Sequence, residues 1–390
     1  MPKCCPHRCR KTLSRFERLI APGGPIRPPG SVIVVGAGLV GRACAWQLQQ
    51  RGHQVQLLDP GLNGSPDPNS GSWAALGVLM AQVFHRSSGR GWRLRQRSLS
   101  LWGEWRQQLG AQGWPLAWQP GLLLLASGAD DLERQQRLVA SRQLQGLPLE
   151  LWGRAQLDAL APALPAGAVG GLYSPADGQL DPGTAMAALL GDGLRLGLQP
   201  VCDRAERLER QAGGWTVHTS GGQTLRADAV VVSAGVSSAS LLESLGHSQP
   251  QEPVLGQALE LELAAPTSWD TAGPWPGAVV WKGANLVPRT RASDPGGARL
   301  WLGATLEPGD QADPTALAQL RTLGGTAPDW LEQATVVRRW QGHRPHPLGQ
   351  PAPLLAALEP GLLLASGHYR NGVLLAPATA EWVAEQLELS

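Results

Sequence analysis

Apolar positions are densest between Ser31 and Pro60. Val32 to Val35 form a run of β-formers, and Gly36-x-Gly38-x-x-Gly41 follows. Ala43, Trp46 and Leu48 then fall among the apolar positions of a helical pattern that Gly52 ends. A second apolar run, Val55 to Leu58, stops at Asp59. The pattern predicts a strand, a glycine turn, a helix, and a second strand with an acid at its tip. Gly36 permits the tight turn, Gly38 lets a pyrophosphate approach the backbone, and Gly41 lets helix and strand pack closely. The helix N-terminus, at Leu39 and Val40, offers free N–H groups and a partial positive charge to phosphates. Asp59 is placed to accept hydrogen bonds from ribose hydroxyls, and its charge would repel the extra phosphate of NADP. With every piece in order, the unit points to a dinucleotide site, without separating FAD from NAD.

The remaining periodicity adds elements of both kinds. Residues 61 to 72 are a polar loop rich in Gly, Pro and Ser; Ser72, Ala74, Ala75 and Gly77 then supply small residues that suit either a flat ring system or a plain helix start. Trp92 to Leu109 has helical period, with Arg93, Arg95 and Arg97 read as a solvated face. Gly121 to Ser127 reads as a buried strand, Asp130 to Gln145 as a polar helix, and 152 to 172 as irregular. Asp181-Pro182 opens a helix. Strands about Ala205 to Arg210 and Trp215 to Thr219 flank a Gly213-Gly214 hairpin turn, and Ala229 to Gly235 is an apolar strand running into a turn.

From Gln257 to Leu263 the pattern alternates, with leucines on one face and Glu260 and Glu262 on the other, as in a half-exposed strand. Ala278 to Trp281 and Leu286 to Arg289 form a hairpin about Lys282-Gly283, and Arg299 to Thr305 adds a strand. Such period-2 strands argue for a separate antiparallel sheet. Pro314 to Leu323 is a polar helix. Leu362 to Ala365 stops before Gly367, a turn follows at Arg370, Asn371 and Gly372, and a helix runs to about Leu387, with Pro377 tolerated near its start. This second glycine joint aims another helix N-terminus at whatever the first unit binds.

Composition narrows the class. The 390 residues suffice for two domains, and 43% apolar with 16% charged content describes a soluble globular chain. A net charge of +2 carries no nucleic-acid signature, no apolar run is long enough to span a membrane, and a homo-oligomer is compatible with both. Cys4, Cys5, Cys9, Cys44 and Cys202 make no disulfide framework, which suits a reducing compartment and a cytoplasmic location. Cys44 and Cys202 read as small buried hydrophobes. Cys4, Cys5, His7 and Cys9 match no common zinc spacing, so no metal site is expected. Residues 1–30 read as a disordered leader.

The stretch SGHYRNGVLLAPATA resembles the C-terminal signature of the glycine oxidases of thiamine biosynthesis, within the D-amino-acid-oxidase family of flavoproteins. The resemblance extends over residues 31 to 390 through GAGLVG, SGSWAALGVL, DGQLDPGTAM, VVVSAGVSS, NLVPR, LWLGATLEPGD and GHRP. It implies FAD as cofactor and an α/β fold: a Rossmann-like FAD-binding domain with an antiparallel-sheet substrate domain (α+β) inserted in pieces. The FAD domain is expected over 31–105, 166–248 and 341–390, and the substrate domain over 106–165 and 249–340.

The resemblance also assigns roles. Arg344 of GHRP would bind the substrate carboxylate, for which a planar guanidinium is suited. Arg370 would border flavin and substrate, and Gly372 with Asn371 and Val373 would face the flavin pyrimidine, where a helix N-terminus stabilises negative charge. Gly367 and Gly235 close turns beside the cofactor, and Ala205 would meet the adenine through its backbone. The family commonly has a tyrosine that helps hold the carboxylate where this chain has Asn285, a shorter donor. His343, His346 and His368 are read as structural or polar lining. The implied partners are a small amino acid or amine and molecular oxygen, in an oxidative deamination that yields imine and hydrogen peroxide and feeds thiazole assembly. A dehydrogenase serving a quinone or carrier, and an inactive flavin-binding scaffold, are the rival readings.

Overall fold

A computed structural model describes residues 28–65, 67–263, 275–291 and 294–389, with 290, 291 and 294–298 described by backbone alone. The expected leader, with its cysteines, lies almost wholly outside the described residues.

The apolar strand Ser31–Val35 sits at the middle of a six-stranded sheet, parallel to Gln54–Leu58 on one side and Ala229–Val232 on the other. Gln199–Val201 lies beyond the first and Leu362–Ser366 beyond the second, with Leu354–Glu359 antiparallel at the edge. The central strands are apolar on both faces because both faces are covered. On one side the helix Leu39–Gln50 packs against Pro182–Arg195 and Gly372–Leu389. There the indole of Trp46 donates to Asp192 Oδ2 at 2.8 Å and meets Trp105 edge-on at 4.7 Å. On the other side a three-stranded sheet, Ala205–Gln211, Gly214–Thr219 and Thr224–Ala227, lays Leu208, Trp215 and Val217 against Ile33, Val35 and Val230.

A second, ten-stranded sheet runs through Glu307–Pro308, Gln251–Glu262, Asp294–Gly303, Ala284–Arg291, Ala278–Trp281, Trp118–Ala126, Gly170–Leu180 and Val78–Leu79. Thr335–Pro347 and Glu150–Trp152 pair at its sides. Its pairings are antiparallel except that Ala278–Trp281 runs parallel to Trp118–Ala126. The chain crosses between the two sheets several times, and these crossings bring both glycine joints and the long strand Thr335–Pro347 to one cleft.

Four expectations change. Residues 152 to 172 are not irregular, since they hold the short helix Arg154–Asp158 and the start of strand Gly170–Leu180. Glu260 is 1% exposed rather than solvated, because its cross-strand neighbours Trp301 and Arg338 cover it and Arg338 pairs with it at 3.2 Å. Arg95 is drawn inward by helix packing, as described below. Cys202 is exposed, since it follows the short edge strand Gln199–Val201; Cys44 is buried as expected.

Candidate active site

The first joint is built by close approach. Gly36 has φ +100°, and a Cβ on it would stand 2.5 Å from the Ser233 carbonyl oxygen. A Cβ on Gly41 would fall 1.7 Å from the Gly36 oxygen, so helix and turn touch with no room for a side chain. Gly38 faces Ser72, whose Oγ accepts the Leu39 N–H at 2.9 Å. The Asp59 carboxylate accepts from the N–H groups of Ala37 and Gly61, each at 2.7 Å. A carboxylate offers about four lone-pair sites, so acceptor capacity remains for ribose hydroxyls.

The second joint turns at Gly367, φ +63°, where a Cβ would lie 2.8 Å from Leu354 Cγ. Tyr369–Asn371 forms one 3₁₀ turn, and the helix Gly372–Leu389 follows. His368 is buried and contacts Thr379 Oγ1 at 2.9 Å. Burial, with Arg90 adding a little, pushes its pKa down to about 3, so it is neutral and serves as packing, as expected.

Arg344 comes from the long strand Thr335–Pro347. Its Nη1 donates to the carbonyls of Leu255, at 3.2 Å, and Thr305, at 3.1 Å. Its guanidinium lies flat on Gly256, where a Cβ would stand 2.1 Å from Nη2. Burial, and then the neighbouring Arg370, push its pKa down to about 10, which leaves it cationic near neutrality. Asn285 Nδ2 donates to the Gly303 carbonyl at 3.0 Å, leaving its second N–H and its oxygen free of that bond.

These pieces meet in one cavity of about 1520 Å³, beyond the roughly 300–1,000 Å³ of a drug-sized site. Gly36, Gly38, Leu39, Val40, Asp59, Ser72 and Gly77 line it beside Ala205 and Gly235; Asn371, Gly372 and Val373 line it further along, with Arg344, Arg370 and Asn285. Gly41 and Gly367 lie behind the wall and act through its shape. The cavity's length, the cradle at Gly36 and Gly38 that a Cβ would fill, and the two helix N-termini fit a bound FAD.

Three of the lining residues that escaped the sequence reading carry the site's shape. Arg42 directly follows the glycine motif, which was a usable signal; its Nε donates to the Ala37 carbonyl at 2.8 Å, behind the glycine turn. Arg95 donates to Asn371 Oδ1 at 2.9 Å and lies 4.0 Å over the Phe84 ring. Gly256 matters only through the strand it faces, and no local pattern marks it.

A mainly parallel sheet between helices on one face and a three-stranded sheet on the other, with two converging glycine joints and a cationic far end, is the architecture of a dinucleotide-dependent oxidoreductase. The profile of the DAO family, FAD dependent oxidoreductase, matches residues 31–386, and the chain belongs to that family. It is 30% identical over 369 residues to a glycine oxidase of Geobacillus kaustophilus, covering 92% of each chain. It is 32% identical over 317 residues to the tRNA 5-methylaminomethyl-2-thiouridine biosynthesis bifunctional protein MnmC of Ralstonia nicotianae, covering 78% of this chain but 45% of that one. The crystal structure of glycine oxidase from Geobacillus kaustophilus superposes with a TM-score of 0.79 at 27% identity, over 93% of this chain and 95% of that one. The cofactor is FAD, and the chemistry is oxidation of amino acids or amines. No helix among the described residues is long and apolar enough to cross a membrane.

Proposed function

We propose that the protein oxidises glycine or a comparably small amino acid, with the substrate carboxylate on Arg344. The observation that carries this is a half-buried guanidinium beside a second, exposed arginine, Arg370, with no carboxylate paired to Arg344 among the described residues. A half-buried cation with a second cation beside it is costly until an anion joins it. A small carboxylate is that anion, and the fork of Arg344 fixes its plane.

Bound FAD would supply two-electron oxidising power at the substrate Cα, with molecular oxygen as the final electron acceptor. The chain supplies placement. Ser72, Gly36 and Gly38, with Leu39 and Val40, would cradle the phosphates. Asp59 would hold the ribose, and the Ala205 backbone would meet the adenine. Gly372 and its neighbours, at a helix N-terminus, favour negative charge on the ring system. Arg344 and Arg370 orient the amino acid, and Asn285 offers a neutral N–H where a longer side chain would reach further. The substrate amine needs no general base if it arrives neutral. The imine hydrolyses or passes onward, as thiazole assembly for thiamine requires.

The test is anaerobic mixing of the holoenzyme with glycine, sarcosine and a panel of D-amino acids, following the flavin absorbance. Bleaching by glycine supports the reading. Bleaching by another amine alone moves the substrate, and a flavin that no amine bleaches overturns it. Unchanged substrate affinity in Arg344→Ala removes the carboxylate role. Reduction without peroxide on readmitting oxygen identifies a dehydrogenase instead.

A further inference from the structure

Arg344 is aimed by carbonyl oxygens, so its direction depends on how firmly those carbonyls are held. Thr305, which supplies one of them, is fixed on three sides. Its N–H donates to the Gln257 carbonyl at 3.1 Å, and its Oγ1 accepts the Gln257 N–H at 2.7 Å. The proton of that hydroxyl goes to Glu307 Oε1.

Glu307 is itself buried, 7% exposed, on the two-residue strand Glu307–Pro308 that pairs with Leu255. Its carboxylate accepts from Gln257 Nε2 at 3.0 Å and from the Asp313 N–H at 2.5 Å, besides Thr305. A buried carboxylate is costly, and hydrogen bonds on both oxygens are what make it tolerable. The same short segment thus ties Glu307 to both carbonyls that grip Arg344: through a hydroxyl to Thr305, and through strand pairing to Leu255. Its negative charge also favours the cationic form of Arg344, against burial and the repulsion of Arg370.

We infer that Glu307 is a positioning residue for substrate binding: through Thr305 it holds the guanidinium of Arg344 in line for the carboxylate. Glu307 does not line the cavity, so it acts only through its neighbours. The inference rests on the reading of Arg344 as the carboxylate ligand.

The experiment uses holoenzyme carrying Glu307→Gln, Thr305→Val, Thr305→Ser or Arg344→Ala. It measures the dissociation constant of acetate from the change in flavin absorbance, KM and kcat for the amine that reduces the flavin best, and the thermal midpoint. Glu307→Gln and Thr305→Val weaken acetate and raise KM by roughly tenfold or more, the scale of a hydrogen bond to a charged group, with kcat at saturation nearly unchanged. Thr305→Ser, which keeps the hydroxyl, restores both. Normal acetate binding and KM in the first two variants, with only the thermal midpoint lowered, overturns the inference. Should Glu307→Gln fail to fold, Thr305→Val carries the test, since a methyl replaces a hydroxyl of similar size. If Arg344→Ala leaves acetate binding intact, the carboxylate reading fails first and the inference falls with it. A loss in Arg344→Ala alone leaves that reading standing and overturns only the role of Glu307.

Discussion

The indole N–H of Trp102 donates to the carbonyl of Val373 at 3.0 Å. Val373 is four residues before Pro377, which has no N–H to serve that carbonyl within the helix. The following N–H, of Ala378, donates to Ser98 Oγ at 3.1 Å. Trp102 and Ser98 are four residues apart on the helix Gly89–Ala111, so one neighbouring helix repairs both sides of the break. This allows Pro377 to sit at the sixth residue of a helix whose first turn lines the cavity.

Trp102→Phe keeps an aromatic ring in the core but removes the donor together with part of the indole's volume. The orphaned Val373 carbonyl is expected to cost about 1–3 kcal/mol in denaturant unfolding. In a Pro377→Ala background the backbone supplies its own N–H, and the same substitution should cost less. Equal losses in both backgrounds would detach Trp102 from the proline.

What the sequence makes legible is what one short stretch carries by itself. The glycine joints could be read because each glycine answers a local need, a left-handed turn at Gly36 and Gly367 or a close approach at Gly41. Strand alternation placed Glu260 on a polar face, yet that face is roofed by Trp301 and Arg338 from the strands on either side. Periodicity reports two faces and not what covers them. Arg95 looked like a surface charge for the same reason: its cover, Phe84 and Asn371, comes from distant parts of the chain. Arg344 could be found through family likeness, whereas the carbonyls that hold it depend on strand register.

Arg95 ties the helix Gly89–Ala111 to the turn Tyr369–Asn371, which lines the cavity. Removing it in Arg95→Ala frees Asn371 and opens the wall beside Phe84. The FAD dissociation constant is expected to rise several-fold, and excess FAD should recover most of the thermal midpoint by mass action. Arg95→Lys keeps the charge but loses the planar stacking, and it should fall between. An FAD affinity that ignores both changes would make Arg95 a packing residue only.

Asp177 organises the loop on the other side of Phe84. It is fully buried and accepts the N–H groups of Ala81, Gln82 and Val83 between 2.8 and 3.1 Å. Burial outweighs those bonds and that of Ser174, and its pKa is pushed up to about 6. A carboxyl that holds its proton more tightly when folded stabilises the fold most below its unfolded pKa, and that contribution fades as pH rises through about 6. Urea unfolding between pH 4 and 7 should therefore show wild type losing stability relative to Asp177→Asn, by up to roughly 1.4 kcal/mol per pH unit. Parallel curves for the two proteins would mean that the carboxylate is charged throughout.

Gly256 gives the sharpest separation of site from scaffold. It pairs with Gly342 across the strands, and the Arg344 guanidinium rests on it, with atoms 2.1–2.4 Å from where a Cβ would stand. The three atoms nearest to an alanine Cβ here all belong to the far end of a side chain. The strand therefore need not move, and its extended conformation accepts alanine. The guanidinium must swing off its two carbonyls, which carries its fork away from the substrate plane. Gly256→Ala should then keep its flavin and nearly its full thermal midpoint while losing roughly tenfold or more in affinity for acetate and for the amino-acid substrate. Affinity that survives the substitution would mean that Arg344 binds the carboxylate in some other pose, or that another cation, with Arg370 the nearest, does the binding.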